Sequence, residues 1–175
     1  YSDLTTVLNA IYAKAGRTGV LYQIRNVLYK ERKQQMTDVR DVLCEGGDAL
    51  YRIDYHYVQG TEMHGIIVGG NIRCFLKLSG TAYMPDLNGK ILLLESRSGT
   101  VARMETYLSQ LQQIGAFEQI AGILLGTFTE MEAKQCMPDI VQLVKKYVRK
   151  TMPIAVTKQI GHGTDAKGIV IGGEL

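Results

Sequence analysis

Apolar positions along this chain form two kinds of pattern: short unbroken runs, and stripes with helical spacing. The clearest run is Ile91-Leu92-Leu93-Leu94, entered through the Asn88-Gly89 turn and Lys90. Glu95 closes it, and Ser96-Arg97-Ser98-Gly99 releases the chain into a loop. Branched apolar residues bounded by turn chemistry predict a strand buried on both faces. Residues 120–128 predict a second buried strand, and 153–160 and 168–171 predict closing strands around Gly161-His162-Gly163. Alternation predicts strands over 49–58 and 63–68, separated by Gln59-Gly60-Thr61, and a short strand over 19–23.

The helical stripes lie between these runs. Leu4, Leu8, Ile11 and Tyr12 predict a helix over 4–15, with Ser2 or Asp3 as cap and Gly16 as stop. A polar stretch over 29–35 leads to a helix over 36–43, closed by Gly46-Gly47 as a candidate domain boundary. Gly69-Gly70-Asn71 predicts a tight strand-to-helix corner before a short helix over 72–78, and 80–86 is a loop holding Pro85. Met104, Tyr107, Leu108, Leu111 and Ile114 stripe one helix ended by Gly115, and Ile140, Val141, Val144 and Val148 stripe another. Strands alternating with helices define an α/β chain.

Composition narrows the function. The 175 residues are 46% hydrophobic and 21% charged, ordinary for a water-soluble globular fold. A net charge of +3 is too small to argue for nucleic acid, and the basic run Lys145-Lys146 through Arg149-Lys150 reads as a solvated helix face. Cys44, Cys74 and Cys136 lack CxxC or Cys–His spacing, so they read as reduced thiols of a cytosolic protein rather than metal ligands. No apolar run approaches the ~20 residues of a membrane span. The chain opens at Tyr1-Ser2-Asp3 without Met and enters a helix at once, which reads as an internal starting point.

Three residues suit a nucleophile–base–orienter set. Ser2 stands at a helix N-terminus, where free N–H groups favour developing negative charge; it equally suits an N-cap. His162 lies between glycines that leave its ring unshielded, fit for proton transfer or for a routine loop hydrogen bond. Glu95 could hold the imidazole tautomer, or end its strand in solvent or in an ion pair. His56, Glu62 and His64 offer metal-ligand chemistry, but no spacing fixes them together. Gly69-Gly70-Asn71 lacks both the full GxGxxG and the P-loop Lys-Ser/Thr.

Read together, Tyr1-Ser2-Asp3-Leu4-Thr5, Gly69-Gly70-Asn71-Ile72, Gly80-Thr81, the run from Pro85-Asp86 to Glu95, Ile120 to Phe128, Pro153-Ile154 and Ile160-Gly161-His162-Gly163 resemble the serine LD-carboxypeptidase family in order and spacing. That family includes muramoyltetrapeptide carboxypeptidases and the microcin C self-immunity peptidases. The resemblance implies Ser2 as nucleophile, His162 as general base and acid, Glu95 as its orienter and the Asp3 backbone N–H as an oxyanion donor. It implies neither metal nor cofactor, and a cytoplasmic homodimer that acts on a murein peptide, with no nucleic acid or membrane partner. The implied fold is the end of a flavodoxin-like N-terminal domain over 1–47, followed by a barrel-like (swivelling) α/β C-terminal domain over 48–175 that carries Glu95 and His162. The strand and glycine that would complete the nucleophile elbow would precede Tyr1. The implied reaction is hydrolysis of an L–D peptide bond, releasing terminal D-alanine from murein tetrapeptide during cell-wall recycling; cleavage of a peptidyl-adenylate antibiotic is the alternative. The stretch 19–29 lacks the His-Gly-Pro that many members carry, which bears on substrate choice. From a different class, a non-catalytic α/β binding module would use Ser2 only as a cap and Glu95–His162 only as a structural pair.

Overall fold

The computed structural model describes residues 1–29 and 33–175; the polar positions 30–32 lie outside the described residues. A five-stranded sheet runs in the order β2-β6-β5-β4-β3, built from β2 (His56–Gln59), β3 (Ile67–Asn71), β4 (Ile91–Ser96), β5 (Gly122–Phe128) and β6 (Ile154–Val156). β3, β4, β5 and β6 pair in parallel, while β2 joins the edge antiparallel to β6. A separate antiparallel pair joins β1 (Gly19–Leu21) to β7 (Ile169–Ile171). The Ile67 N–H donates to Gly173 O and the Gly172 N–H to Ile67 O, so the end of the chain lies against β3.

The apolar run at 91–94 forms the middle of this sheet, and all four side chains are fully buried. Alternate residues serve opposite faces. Leu92 and Leu94, with Val68, Ile123, Leu125 and Ile154, pack on α3 (Ile72–Leu76), α4 (Val101–Gln113) and α7 (Ile140–Lys145) through Phe75, Met104, Leu108 and Leu143. Ile91 and Leu93, with Ile67, Leu124 and Ala155, meet Leu21, Ile169 and Ile171 of the β1–β7 pair. Burying each such aliphatic side chain contributes about 1.5–3 kcal/mol.

The first helix, α1 (Leu4–Ala15), has the expected bounds, and Gly16 ends it in the left-handed region at φ 60°. Between β1 and β2 come a one-turn 3-10 helix (Ile24–Leu28), α2 (Lys33–Arg40) and a π-turn (Asp41–Glu45) closed by Gly46. Of the strand expected over 49–58 only the last three residues form one, extended by a residue as His56–Gln59, because Leu50 and Tyr51 turn to pack on Tyr22 and Val39. The strand expected over 63–68 instead starts at Ile67 and runs through both glycines to Asn71. The reason is α1, which docks on this edge: Asn9 Nδ2 donates to Gly69 O at 2.8 Å, the Gly69 N–H returns to Asn9 Oδ1 at 2.8 Å, and the Asn71 N–H donates to Thr5 Oγ1 at 3.0 Å. A Cβ on Gly70 would lie 2.7 Å from Thr5 Oγ1, so the paired glycines permit this close approach. The corner follows one residue later, where Asn71 Oδ1 accepts the Cys74 N–H and caps α3.

Two short helices, α5 (Ala116–Gln119) and α6 (Thr129–Ala133), complete the connections. The stripe at 140–148 is helical only through Lys145. Among the described residues, no helix is long and apolar enough to cross a membrane.

Candidate active site

The carboxyl ends of β3 and β4 create the site. Asn71 and Glu95 are register partners on these parallel strands, so their side chains emerge side by side. Glu95 is 0% exposed, which demands partners for both oxygens. Asn71 Nδ2 donates to Oε1 at 2.9 Å, and His162 Nδ1 lies 2.7 Å from Oε2. With Nδ1 donating its proton to the carboxylate, Nε2 keeps its lone pair. At the end of its strand, Glu95 is thus not solvated but buried and paired with His162.

His162 is held from three directions. The Tyr1 ring meets the imidazole edge-on, with centroids 5.1 Å apart. The Tyr1 hydroxyl is buried; burial, then the Glu95 charge, push its pKa well above the ordinary value, partly offset by the Gly161 backbone. From the segment after β1, Gln23 Nε2 donates to Gly161 O at 3.3 Å and Gly163 O at 3.4 Å, and Asn26 Nδ2 donates to Gly163 O at 3.1 Å. Further along, Gln35 Nε2 donates to Asp165 O, and Lys167 Nζ binds Asp38 Oδ2 and Ala49 O. Gln23, Asn26, Gln35, Asp38 and Ala49 thus strap the histidine loop from both flanks.

Ser2 enters from α1. It lines the same cleft of about 640 Å³ as His162, Asn71, Gln23 and Ser96. Its hydroxyl does not cap the helix: Asp3 occupies the N-cap position, with no side-chain cap bond. Among the described residues the partner of Ser2 Oγ is Cys74 Sγ at 3.9 Å, and no hydrogen bond joins it to His162. Cys74 Sγ also donates to Asp3 Oδ1 at 3.4 Å, where Lys77 Nζ binds at 3.2 Å. These two contacts, Cys74 first, hold the Asp3 carboxyl below its ordinary range, while burial and the Asp3 contact raise the Cys74 thiol. The Asp3 N–H makes no hydrogen bond among the described residues, and Asp3 lines the same cleft.

The structure therefore brings Glu95 and His162 into direct contact and places Ser2 and Asp3 at the same opening. The other histidines lie elsewhere: His56 is on β2 and His64 precedes β3, and among the described residues no three His, Cys, Asp or Glu side chains gather as a metal site. Sequence reasoning missed Asn71, Gln23, Asn26 and Tyr1 as site residues. Asn71 alone carried a signal, as a cap-forming residue straight after a glycine pair.

The architecture has solved counterparts. The structure of microcin C7 self-immunity protein MccF superposes with a TM-score of 0.79 at 17% identity, covering 99% of this chain and 62% of that one. Muramoyltetrapeptide carboxypeptidase from Oxalobacter formigenes gives a TM-score of 0.79 at 18% identity, with 99% and 61% coverage. The shared fold is mixed α/β with a sheet rich in parallel strands. The family profile described as the LD-carboxypeptidase C-terminal domain matches residues 64–175, and the chain belongs to that family. A Treponema pallidum protein named "Putative carboxypeptidase" is 28% identical over all of this chain and 59% of its own length. Escherichia coli MccF is 30% identical over 44% of this chain and 23% of its own. The chain spans about three-fifths of the Treponema relative and of the two solved proteins.

Proposed function

We propose that the full-length protein is a serine LD-carboxypeptidase, in which residues 1–47 close a flavodoxin-like nucleophile domain and 48–175 form a barrel-like domain. Ser2 attacks the carbonyl that joins an L-centre to a terminal D-amino acid. His162 takes the hydroxyl proton at Nε2 and returns it to the leaving amine, and water then hydrolyses the acyl-enzyme by the same route. Glu95 orients the imidazole and stabilises the imidazolium, and the Asp3 N–H contributes to an oxyanion hole. The substrate is a murein tetrapeptide losing D-alanine in the cytoplasm, and the working form is a homodimer.

The observation that carries this reading is the 2.7 Å bond between His162 Nδ1 and a fully buried Glu95, opening onto the cleft that Ser2 lines. Family membership supports peptidase chemistry. A second substrate class has its own support: a fold relative, MccF, has been solved with aspartyl sulfamoyl adenosine and with glutamyl sulfamoyl guanosine, which favours a peptidyl-nucleotide as the alternative.

The test uses the full-length protein. Wild type should release D-alanine from murein tetrapeptide and be labelled by a serine-reactive fluorophosphonate. Ser2→Ala should lose both while keeping its circular dichroism spectrum and Tm. Turnover by Ser2→Ala near that of wild type would return Ser2 to a structural role, whereas neither turnover nor labelling by wild type would favour a binding module.

A further inference from the structure

The cleft has a charge that the catalytic set does not use. Arg73 and Arg97 line it together with Ser2 and His162, and so does Arg25 from the 3-10 helix. Their placement follows from the sheet. Arg73 lies two residues beyond Asn71 and Arg97 two beyond Glu95, and Asn71 and Glu95 are register partners on neighbouring parallel strands. Strands about 4.8 Å apart thus carry both arginines past their carboxyl ends onto one opening.

Among the described residues, none of the three guanidinium groups has an acidic partner within ion-pair distance. The acidic side chain that lines the cleft, Asp3, is already engaged by Lys77 and Cys74, and Glu95 beneath it is satisfied by Asn71 and His162. Three like charges around one concave opening repel each other and focus a positive potential into it. An anion with two oxygens relieves this, because the guanidinium fork matches carboxylate and phosphoryl oxygens in pairs.

Position narrows the anion's place on the substrate. Arg73 Nη2 lies 3.9 Å from Cys74 Sγ, and that sulfur lies 3.9 Å from Ser2 Oγ. One sulfur atom therefore separates the guanidinium from the attacking hydroxyl. A terminal carboxylate is three bonds from the carbonyl carbon under attack, and a charge-assisted N–H···O contact adds about 2.8 Å. The Arg73 guanidinium is thus within reach of a charged group borne by the leaving amine, and Arg97 and Arg25 line the same opening.

We infer that Arg73 and Arg97, assisted by Arg25, form an anion subsite that binds the charged group on the leaving side of the scissile bond. That group is the carboxylate of a terminal amino acid or a phosphoryl group attached to the leaving nitrogen. The inference rests on the peptidase reading for its substrate, but its binding arm can be measured without turnover.

The test compares full-length wild type with Arg73→Gln, Arg97→Gln, Arg25→Gln and Arg73→Lys on three ligands: a murein tetrapeptide with its free carboxylate, the same peptide as a C-terminal amide, and a peptidyl phosphoramidate nucleotide. Binding of the acid and the amide is also measured by calorimetry in the Ser2→Ala background. Wild type should favour an anionic ligand over the amide by at least about tenfold, the smallest effect expected for a charged hydrogen bond. The glutamine variants at 73 and 97 should lose that preference through KM with Tm unchanged, and Arg73→Lys should recover part of it. A preference for the free acid identifies a carboxylate source; a preference for the phosphoramidate with the same arginine dependence identifies a phosphoryl source. An arginine-dependent preference in binding without turnover by wild type would retain the subsite and sink the peptidase reading. Equal handling of acid, amide and phosphoramidate by wild type, or an undiminished preference in the glutamine variants, overturns the inference.

Discussion

Replacing Glu95 by Gln gives the sharpest test of the proposed chemistry, because it changes one atom in a site with no room for compensation. Glu95 is fully buried, accepting from Asn71 Nδ2 at one oxygen and facing His162 Nδ1 at the other. A carboxamide has only one accepting end. If its oxygen stays with Asn71, its NH2 group faces Nδ1, which must then lose its proton and become the acceptor. The imidazole proton moves to Nε2, and the nitrogen meant to take the serine proton no longer can. If the amide turns the other way, two NH2 groups meet in the interior and leave a buried donor unpaired, at about 1–3 kcal/mol. The first arrangement keeps the fold at the cost of the tautomer. The corresponding Asp→Asn change in Ser-His-Asp peptidases lowers kcat about 10⁴-fold, or roughly 5.5 kcal/mol of barrier. The expected result for Glu95→Gln is a fall of that order in kcat, KM within a factor of a few, and a cooperative thermal transition near that of wild type. The assay is D-alanine release by the full-length protein, with melting followed by circular dichroism. A kcat within tenfold of wild type would refute the claim that Glu95 acts by fixing the imidazole tautomer.

The strap and its neighbours give further expectations. Gln23→Ala with Asn26→Ala removes the three side-chain donations to Gly161 O and Gly163 O; kcat should fall by about one to two powers of ten with Tm lowered modestly, since each lost bond is worth about 1 kcal/mol, and an unchanged pH–rate profile and kcat would show that the clamp does not position His162. Gly126→Ala would bring a Cβ to 2.5 Å from Ile160 O and 3.1 Å from Glu95 Cβ; we expect about 1–3 kcal/mol of destabilisation in urea melts with loss of activity, by overpacking, and wild-type stability would contradict it. Away from the site, the hydrogen bond to Glu105, followed by burial and the Glu105 charge, pushes the Tyr147 hydroxyl up to about 12. A raised folded-state value means the contribution is complete below the unfolded value near 10 and is lost between pH 10 and 12; Tyr147→Phe should flatten the alkaline decline of Tm in that window, and an identical decline in both proteins would exclude this source.

What could be read from the sequence follows the range of the forces involved. The helix Leu4–Ala15 and the buried run in β4 were legible because spacing and turn residues act within a few positions of one another. The segment around Leu50 misled because its alternating apolar residues serve a small cluster with Tyr22 and Val39 rather than a sheet face. Gly69-Gly70 looked like a corner because glycine weakens a strand, yet the pair sits inside β3 so that α1 can reach its backbone. Glu95 and His162 stood out as chemistry at the ends of apolar runs. Gln23 and Asn26 did not, since their partners lie 138 and 137 positions away and nothing local distinguishes a clamping carboxamide from a solvated one.

The gap between Ser2 and His162 is smaller in energy than in the hydrogen-bond pattern. Tyr1 already meets the imidazole edge-on, and Ser2 is the next residue, its Cα about 3.8 Å further along the chain. What holds the hydroxyl away is a 3.9 Å contact with Cys74, and thiols are weak donors and weak acceptors. A hydroxyl bonded to imidazole nitrogen is worth more than that contact, and a change of Ser2 rotamer leaves in place α1, which Thr5 and Asn9 pin to β3. The Cys74 thiol already donates to Asp3 and keeps that bond if the serine turns away. Cys74→Ala should therefore release the serine without disturbing the helix. We expect activity at or above the wild-type level, at the cost of a small cavity of the kind that lowers stability by about 1 kcal/mol. Rate and urea stability measured on one preparation decide it: a loss of activity larger than the loss of stability accounts for would mean that Cys74 holds Ser2 in place rather than holding it back.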